Sequence, residues 1–387
     1  MLKIAIDARQ IRDFGIGTYI RNLIQALARV DLKNSYVVVA SSADTPLLST
    51  LPPQFEVATC NTAETNPAEN ITFPLFLRKF HADVYHIPLN RVPFFMPKPY
   101  VVTIHDMASL LFNRQSGIRM DMRRYRFRRG LMRAAKVLAV SAATRRDVVH
   151  TLRVPADRVR LVYSAPAPEF FQHGRAADAR AAGPETEERE RHRIMERYQI
   201  SYPFLLYAGN IRPQKNIPRL VEAFAVIRNE LAHHPVYADL RLIIIGDHIA
   251  RNPAVRRAVV MSRVEHCARF LGFVPFDTLR IFYECASAFV FPSLYEGFGL
   301  PPLEAMASGT PVVTSNISSL PEAVGKAAVL VNPENVFDIA RGIREVLLDD
   351  ELRKQLIARG KEQAARFSWE RTAHEVVEIY EEVGRRV

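Results

Sequence analysis

The sequence predicts an α/β protein of two Rossmann-like doubly wound domains facing across a cleft. Short apolar runs rich in β-formers alternate with amphipathic helical stretches, the mark of βαβ units and parallel sheets. The alternation breaks off and restarts near residue 200. A chain of 387 residues, 48% of them apolar, is long enough to bury two cores.

In the first half, strands read at Leu2–Asp7, Tyr36–Ala40, Val84–Ile87, Tyr100–Ile104 and Val137–Val140. Tyr19, Ile20, Leu23, Ile24, Leu27 and Val30 mark one face of the helix after the first strand, and Ser141 stands where a helix N-cap belongs. In the second half, strands read at Phe204–Ala208, Leu240–Ile245, Arg269–Leu271, Ala288–Phe291, Pro311–Thr314 and Ala328–Val331. Between the halves, Gln172–Arg197 is nearly devoid of large apolar side chains. That suits a linker, while its charged part, Glu185–Arg197, reads equally as a solvated helix. The expected organisation is an N-terminal domain over 1–171, a linker over 172–199, a C-terminal domain over 200–367 and a closing helix over 368–387 that returns toward the first domain. No short-period repeat is present, which excludes solenoids and propellers.

Composition narrows the function classes. The longest apolar runs are strand-sized, and the first residues lack the apolar core of a signal peptide, so a cytoplasmic protein is expected. Cys60, Cys267 and Cys285 are scattered without metal or redox spacing. The net charge of +11 is local: Arg114–Lys136 holds nine basic residues against Asp121 alone, leaving 43 basic and 40 acidic elsewhere. Within it Met122, Tyr125, Arg129 and Met132 share one helical face, and Arg119, Arg124 and Arg128 help make another. A solvated helix and an anionic membrane contact at the inner face of the plasma membrane both fit. Nucleic acid is disfavoured because no nucleic-acid module accompanies the stretch.

The richest segment runs from Phe291 through Glu296-Gly-Phe-Gly-Leu-Pro-Pro-Leu-Glu304 to Val313. It starts at the carboxyl end of a strand, where open α/β sheets bind ligands. Gly297 and Gly299 admit close backbone approach, and Pro301 and Pro302 suit the first helical turn, whose free amides can seat a phosphate. Glu296 and Glu304 are acceptors for vicinal hydroxyls of a sugar or ribose. A second segment, Tyr207-Ala-Gly-Asn-Ile-Arg-Pro-Gln-Lys-Asn216, follows the first strand of its domain and offers Arg212 and Lys215 to a diphosphate. A third, Phe14-Gly15-Ile16-Gly17-Thr18-Tyr19, opens a helix after the first strand but lacks the third glycine of the dinucleotide fingerprint. A fourth, Val102-Thr-Ile-His105-Asp106, ends a strand on a histidine, with His86 a further cleft-lining candidate.

The Glu-x7-Glu spacing of Glu296 and Glu304, with Glu-Gly-Phe-Gly-Leu-Pro inside it, resembles the retaining GT-B glycosyltransferases of family 4, the glycosyl transferases group 1, and among them bacterial mannosyltransferase-like enzymes of polysaccharide and glycolipid assembly. The resemblance covers nearly the whole chain and is strongest over 204–345. It implies that Glu296 and the amides of Phe298, Gly299 and Leu300 hold the donor sugar and phosphate, and that Glu304 holds the ribose. It implies that His105 sits beside the sugar, that Gly15 and Gly17 face the donor phosphates and that Lys215 and Arg212 are the cations. Asn210 stands where the family commonly has the arginine of a Gly-Arg…Lys-Gly pattern, and Asn216 where it has the glycine. The implied substrates are a nucleotide-diphosphate sugar such as GDP-mannose or a UDP-hexose and a glycan or lipid-linked acceptor. No metal and no cofactor are expected. A GT-B epimerase, a phosphorylase and a catalytically silent donor- or membrane-binding homologue are the alternatives, Asn210 favouring the last.

Overall fold

A computed structural model describes the chain except for Phe14 and residues 62–67, 113–117, 172–183, 247–251 and 386–387. It divides into two compact units, Met1–Ala165 with Phe367–Val387, and Pro166–Arg366.

The first unit is built on a seven-stranded sheet of order β3-β2-β1-β4-β5-β6-β7. Its strands are β1 (Lys3–Asp7), β2 (Ser35–Ala40), β3 (Phe55–Thr59), β4 (Val84–Ile87), β5 (Tyr100–Ile104), β6 (Lys136–Ala139) and β7 (Val159–Leu161). Every pairing is parallel. The central strands β4, β5 and β6 are buried along their whole length, as expected of parallel strands covered on both faces. The Ile16–Val30 helix buries Tyr19, Ile20, Leu23, Ile24 and Leu27. Ser141 caps the Ala142–Leu152 helix by accepting from the Thr144 amide. The final helix, Trp369–Gly384, closes this unit. Thr372 donates to the Tyr163 carbonyl at 2.7 Å, and Trp369 meets Tyr19 edge-on at 5.5 Å.

The second unit repeats the plan with a six-stranded parallel sheet of order β10-β9-β8-β11-β12-β13. Its strands are β8 (Phe204–Ala208), β9 (Arg241–Ile245), β10 (Ala268–Gly272), β11 (Ala288–Phe291), β12 (Val312–Ser315) and β13 (Val329–Val331). In each sheet the strand order reverses between two central strands, β1 and β4 in one and β8 and β11 in the other. That reversal is the topological switch point, and ligand crevices open beyond the carboxyl ends there.

The structure departs from the sequence reading at two strands and at the linker, and it orients the basic helix. Strands β3 and β7 were not anticipated. Pro184–Arg197 is a helix, the alternative read for Glu185–Arg197, and it belongs to the second unit rather than to an inter-domain linker: Arg191 pairs with Glu284 at 2.9 Å, Arg280 with Glu190 at 3.2 Å, and Ile194 is buried. Residues 172–183 of the expected linker lie outside the described residues. The buried face of the Ile118–Arg133 helix carries Phe127, Gly130 and Leu131, whereas Met122 and Tyr125 stand 53% and 59% exposed.

Candidate functional site

In the second unit, the loops after β8 and β11 leave the sheet on either side of its switch point. They bring Lys215 and Glu296 together: Nζ lies 2.6 Å from Oε1, with 16% and 10% of the two side chains exposed. The Lys215 ammonium also sits 5.2 Å from the centroid of the Phe291 ring, within cation–π range.

The Glu296 loop is held through its carbonyls. Thr314 donates to Phe291, Asn216 to Pro292, Ser315 to Ser293, and Ser319 to both Glu296 and Phe298. Ser318 donates to the Glu296 carbonyl and accepts from its amide. Phe298 is thereby buried. With the carbonyls held behind, the amides of Gly299 and Leu300, which open the Leu300–Ala307 helix, have no partner among the described residues. Free amides at a helix start attract phosphate. Gly299 has φ +113°, and a Cβ there would lie 3.0 Å from Leu320, so backbone and space both call for glycine.

Glu304 lies in the same helix, 8% exposed, and accepts from Tyr283 Oη at 3.2 Å. Burial outweighs that hydrogen bond and pushes its carboxyl from 4.5 up to about 7. Asn210 is half-buried, its carbonyl accepting from Tyr207 Oη at 2.9 Å. Arg212 is exposed and has no ion pair among the described residues, so it is not drawn into the Lys215–Glu296 pair.

Asn216 explains its own departure from the glycine pattern. Its φ of 61° is left-handed, a conformation that asparagine tolerates better than most residues. Its Nδ2 bridges the Pro292 and Pro333 carbonyls at 3.0 and 2.7 Å, which a glycine could not do.

In the first unit, Gly15 opens the Ile16–Val30 helix with φ 87°. A Cβ on Gly17 would fall 2.5 Å from the Ile11 carbonyl oxygen, so this glycine permits a close backbone approach. Phe14 lies outside the described residues. His105 follows β5; its amide donates to Asn90 Oδ1 at 2.9 Å and its Nε2 lies 3.0 Å from the Pro88 carbonyl. Burial lowers its pKa, favouring the neutral ring. That ring meets Tyr19 edge-on at 4.7 Å.

His86 does not line a site. It is wholly buried in β4, with Nδ1 2.6 Å from Tyr380 Oη and Nε2 2.8 Å from Thr103 Oγ1. Burial, and secondarily the neighbouring His105, hold its pKa near about 3. A buried cluster also escaped the sequence reading. Arg9 forks onto Asp7 at 2.8 and 2.7 Å, reaches Glu69 at 3.0 Å and stacks on Phe73, while Glu69 also pairs with Arg91. The Asp7-Ala8-Arg9 spacing was its only sequence signal.

Two parallel-sheet units of this strand order, with a cation, a carboxylate and free helix-start amides at a switch point, define the class of GT-B transferases. The match of residues 188–363 to glycosyl transferases group 1 and of residues 15–165 to glycosyltransferase family 4 places the chain in that family, to which it belongs. The O-antigen chain mannosyltransferase B of Escherichia coli is 32% identical over 310 residues, covering 79% of this chain and 75% of that one. The serotype-specific mannosyltransferase WbdA of Escherichia coli is 31% identical over 321 residues, which is 82% of this chain but 37% of WbdA. Among solved structures, Anabaena Alr3699/HepE in complex with UDP-glucose shares the fold, with TM-score 0.76, 16% identity and coverage of 99% and 100%. The chain is a glycosyltransferase.

Proposed function

We propose that this enzyme moves a hexose, mannose in the favoured reading, from a nucleotide-diphosphate sugar to a glycan or lipid-linked acceptor, with retention at the anomeric carbon. The observation that carries the reading is the Lys215–Glu296 pair with the Gly299 and Leu300 amides, which have no partner among the described residues. A diphosphate competes with Glu296 for Lys215, takes the two amides and gains Arg212 as a further cation. Glu296, released from Lys215, accepts from hydroxyls of the donor sugar, and Glu304 from the ribose. The bond between the anomeric carbon and the leaving phosphate oxygen breaks as the acceptor oxygen bonds that carbon, and the acceptor proton passes to the leaving phosphate. Lys215, Arg212 and the amides balance the departing charge, so we propose a reaction that needs neither metal nor cofactor. Glu296 holds the sugar and is not the nucleophile. His105 and the Gly15–Gly17 turn belong to this reading as groups of the first unit that serve the transfer.

Mannose is favoured because curated relatives are named mannosyltransferases; a nucleotide sugar is favoured because the Anabaena neighbour holds UDP-glucose. No helix among the described residues is long and apolar enough to cross a membrane. We place the enzyme in the cytoplasm, peripheral to an anionic membrane. Exposed Met122 and Tyr125 among the arginines of the Ile118–Arg133 helix support that placement. The test is binding and slow hydrolysis across UDP-, GDP- and dTDP-sugars. One donor that binds the wild type and is lost in both Lys215→Ala and Glu296→Ala supports the reading, and binding of none overturns it.

A further inference from the structure

Strands β5, β6 and β7 begin side by side along one edge of the first sheet. Lys98 and Pro99 lead into β5, Lys136 opens β6, and Asp157 and Arg158 lead into β7. Arg133, the last residue of the Ile118–Arg133 helix, joins them around a concavity of about 680 Å³. The concavity lies at the amino ends of the strands, whereas His105 follows the carboxyl end of β5. About 15 Å of strand separates the two.

Two of the four cations have structural duties. Arg158 donates to the Met132 carbonyl at 2.9 Å, satisfying the end of the Ile118–Arg133 helix. Lys136, 9% exposed, pairs with Glu382 at 3.1 Å and lies 3.3 Å from the Asp157 carbonyl. Arg160 shares Glu382 at 3.7 Å. The side chains of Lys98 and Arg133 have no hydrogen bond or ion pair among the described residues. The acids at hand, Asp157 and Glu382, leave the five cations in excess. Gathering like charges around one hollow costs self-repulsion, which a multivalent anion relieves.

We propose that this concavity is a second anion site, separate from the donor site, which binds clustered phosphoryl groups through Lys98, Arg133 and Arg158, with Lys136 as the buried charge behind them. Lysine supplies point charges and arginine planar forks, the mixture that phosphoryl oxygens accept. A soluble diphosphate and the phosphomonoester headgroup of a membrane lipid present the same chemistry. The site stands or falls independently of the donor reading, because its residues are distinct from Lys215 and Glu296.

The experiment uses the full chain as wild type, as Lys215→Ala and as the double variant Lys98→Ala/Arg133→Ala, whose side chains make no hydrogen bond or ion pair among the described residues. Each is titrated calorimetrically with inorganic pyrophosphate and floated with phosphatidylcholine vesicles with and without phosphatidic acid. Circular dichroism checks that the double variant is folded. Pyrophosphate binding that survives Lys215→Ala and weakens about tenfold or more in the double variant supports the site with a soluble ligand. Flotation that depends on phosphatidic acid and is lost in the double variant supports it with a lipid headgroup. The proposal is overturned if the double variant binds both probes as the wild type does, or if the Lys215→Ala variant binds neither probe.

Discussion

Lys215 and Glu296, 81 residues apart in sequence, meet at 2.6 Å where the second sheet reverses its strand order. Each neutralises the other in a largely buried setting, so in the proposed reaction a donor diphosphate exchanges one charged partner for another rather than finding a bare cation. That exchange limits the net gain from Lys215, because the Glu296 contact is given up. Lys215→Ala is therefore expected to weaken donor binding by about 10- to 100-fold, the worth of one charge-assisted hydrogen bond. Glu296→Gln, which frees Lys215, is expected to weaken nucleotide diphosphate binding less than Lys215→Ala does, while lowering transfer rate. Calorimetry with the nucleotide diphosphate and initial rates with the sugar nucleotide separate the two. Equal losses of nucleotide diphosphate affinity would sink the division of roles.

Asn216 makes a sharper test of the scaffold. Asn216→Ala loses the bridge to the Pro292 and Pro333 carbonyls and the Oδ1 acceptor of Arg219, and forces alanine into a left-handed conformation, whereas Asn216→Gly loses only those side-chain contacts. Alanine is expected to be less stable than glycine by about 1 kcal/mol, and both less stable than wild type. Urea denaturation checks the order. A glycine variant as stable as wild type would show that the Asn216 side-chain hydrogen bonds contribute nothing.

Most strands that the sequence revealed are buried along their length, although β10 and β13 are half-buried and were still legible as short apolar runs. Strand β3 alternates, with Phe55 buried and Glu56 and Thr59 exposed, and β7 has only three residues, so neither presents a continuous apolar run. Lys136 hid the start of β6 because its charge is matched by Glu382, at the far end of the chain. The same distance rule divides the site. Glu296, Gly299, Leu300 and Glu304 sit in one local string, and Lys215 in another, and both strings can be read where they stand. The bridge of Asn216 depends on carbonyls 76 and 117 residues away, and Tyr380, one of the two partners of His86, is 294 residues away. Such roles have no local pattern.

Glu304 sets a pH dependence of stability. Its folded pKa of about 7 lies above the ordinary 4.5, so between those values the unfolded chain has released a proton that the folded chain keeps. Stability from this group therefore falls as pH rises from 4.5 through 7, by roughly 3 kcal/mol in all. Glu304→Gln is expected to abolish that decline, raising stability at pH 8 relative to wild type with little effect at pH 4.5. Denaturation midpoints across this range read it directly. A decline that persists unchanged in the variant would place its origin elsewhere.

The opposite sign belongs to His86. Held between Tyr380 and Thr103 with no exposed surface, its ring stays neutral to about pH 3, while in the unfolded chain it takes a proton near 6.5. The stability tied to the neutral ring is complete above pH 6.5 and is lost as pH falls toward 3, by roughly 5 kcal/mol. Because Tyr380 lies on the final helix and His86 on β4, acid should loosen the attachment of that helix. Tyr380→Phe removes the partner of Nδ1 and is expected to cost about 1–3 kcal/mol at neutral pH. Replacing His86 by glutamine also costs stability at pH 7, but it should flatten the acid limb, since no proton is then taken up on unfolding. Hydrogen exchange of the Trp369–Gly384 amides, followed between pH 7 and 5, checks where the loss is felt. Faster opening of that helix at lower pH, after correction for intrinsic exchange and absent in the glutamine variant, is the expected result; equal behaviour of the two proteins would remove His86 as its cause.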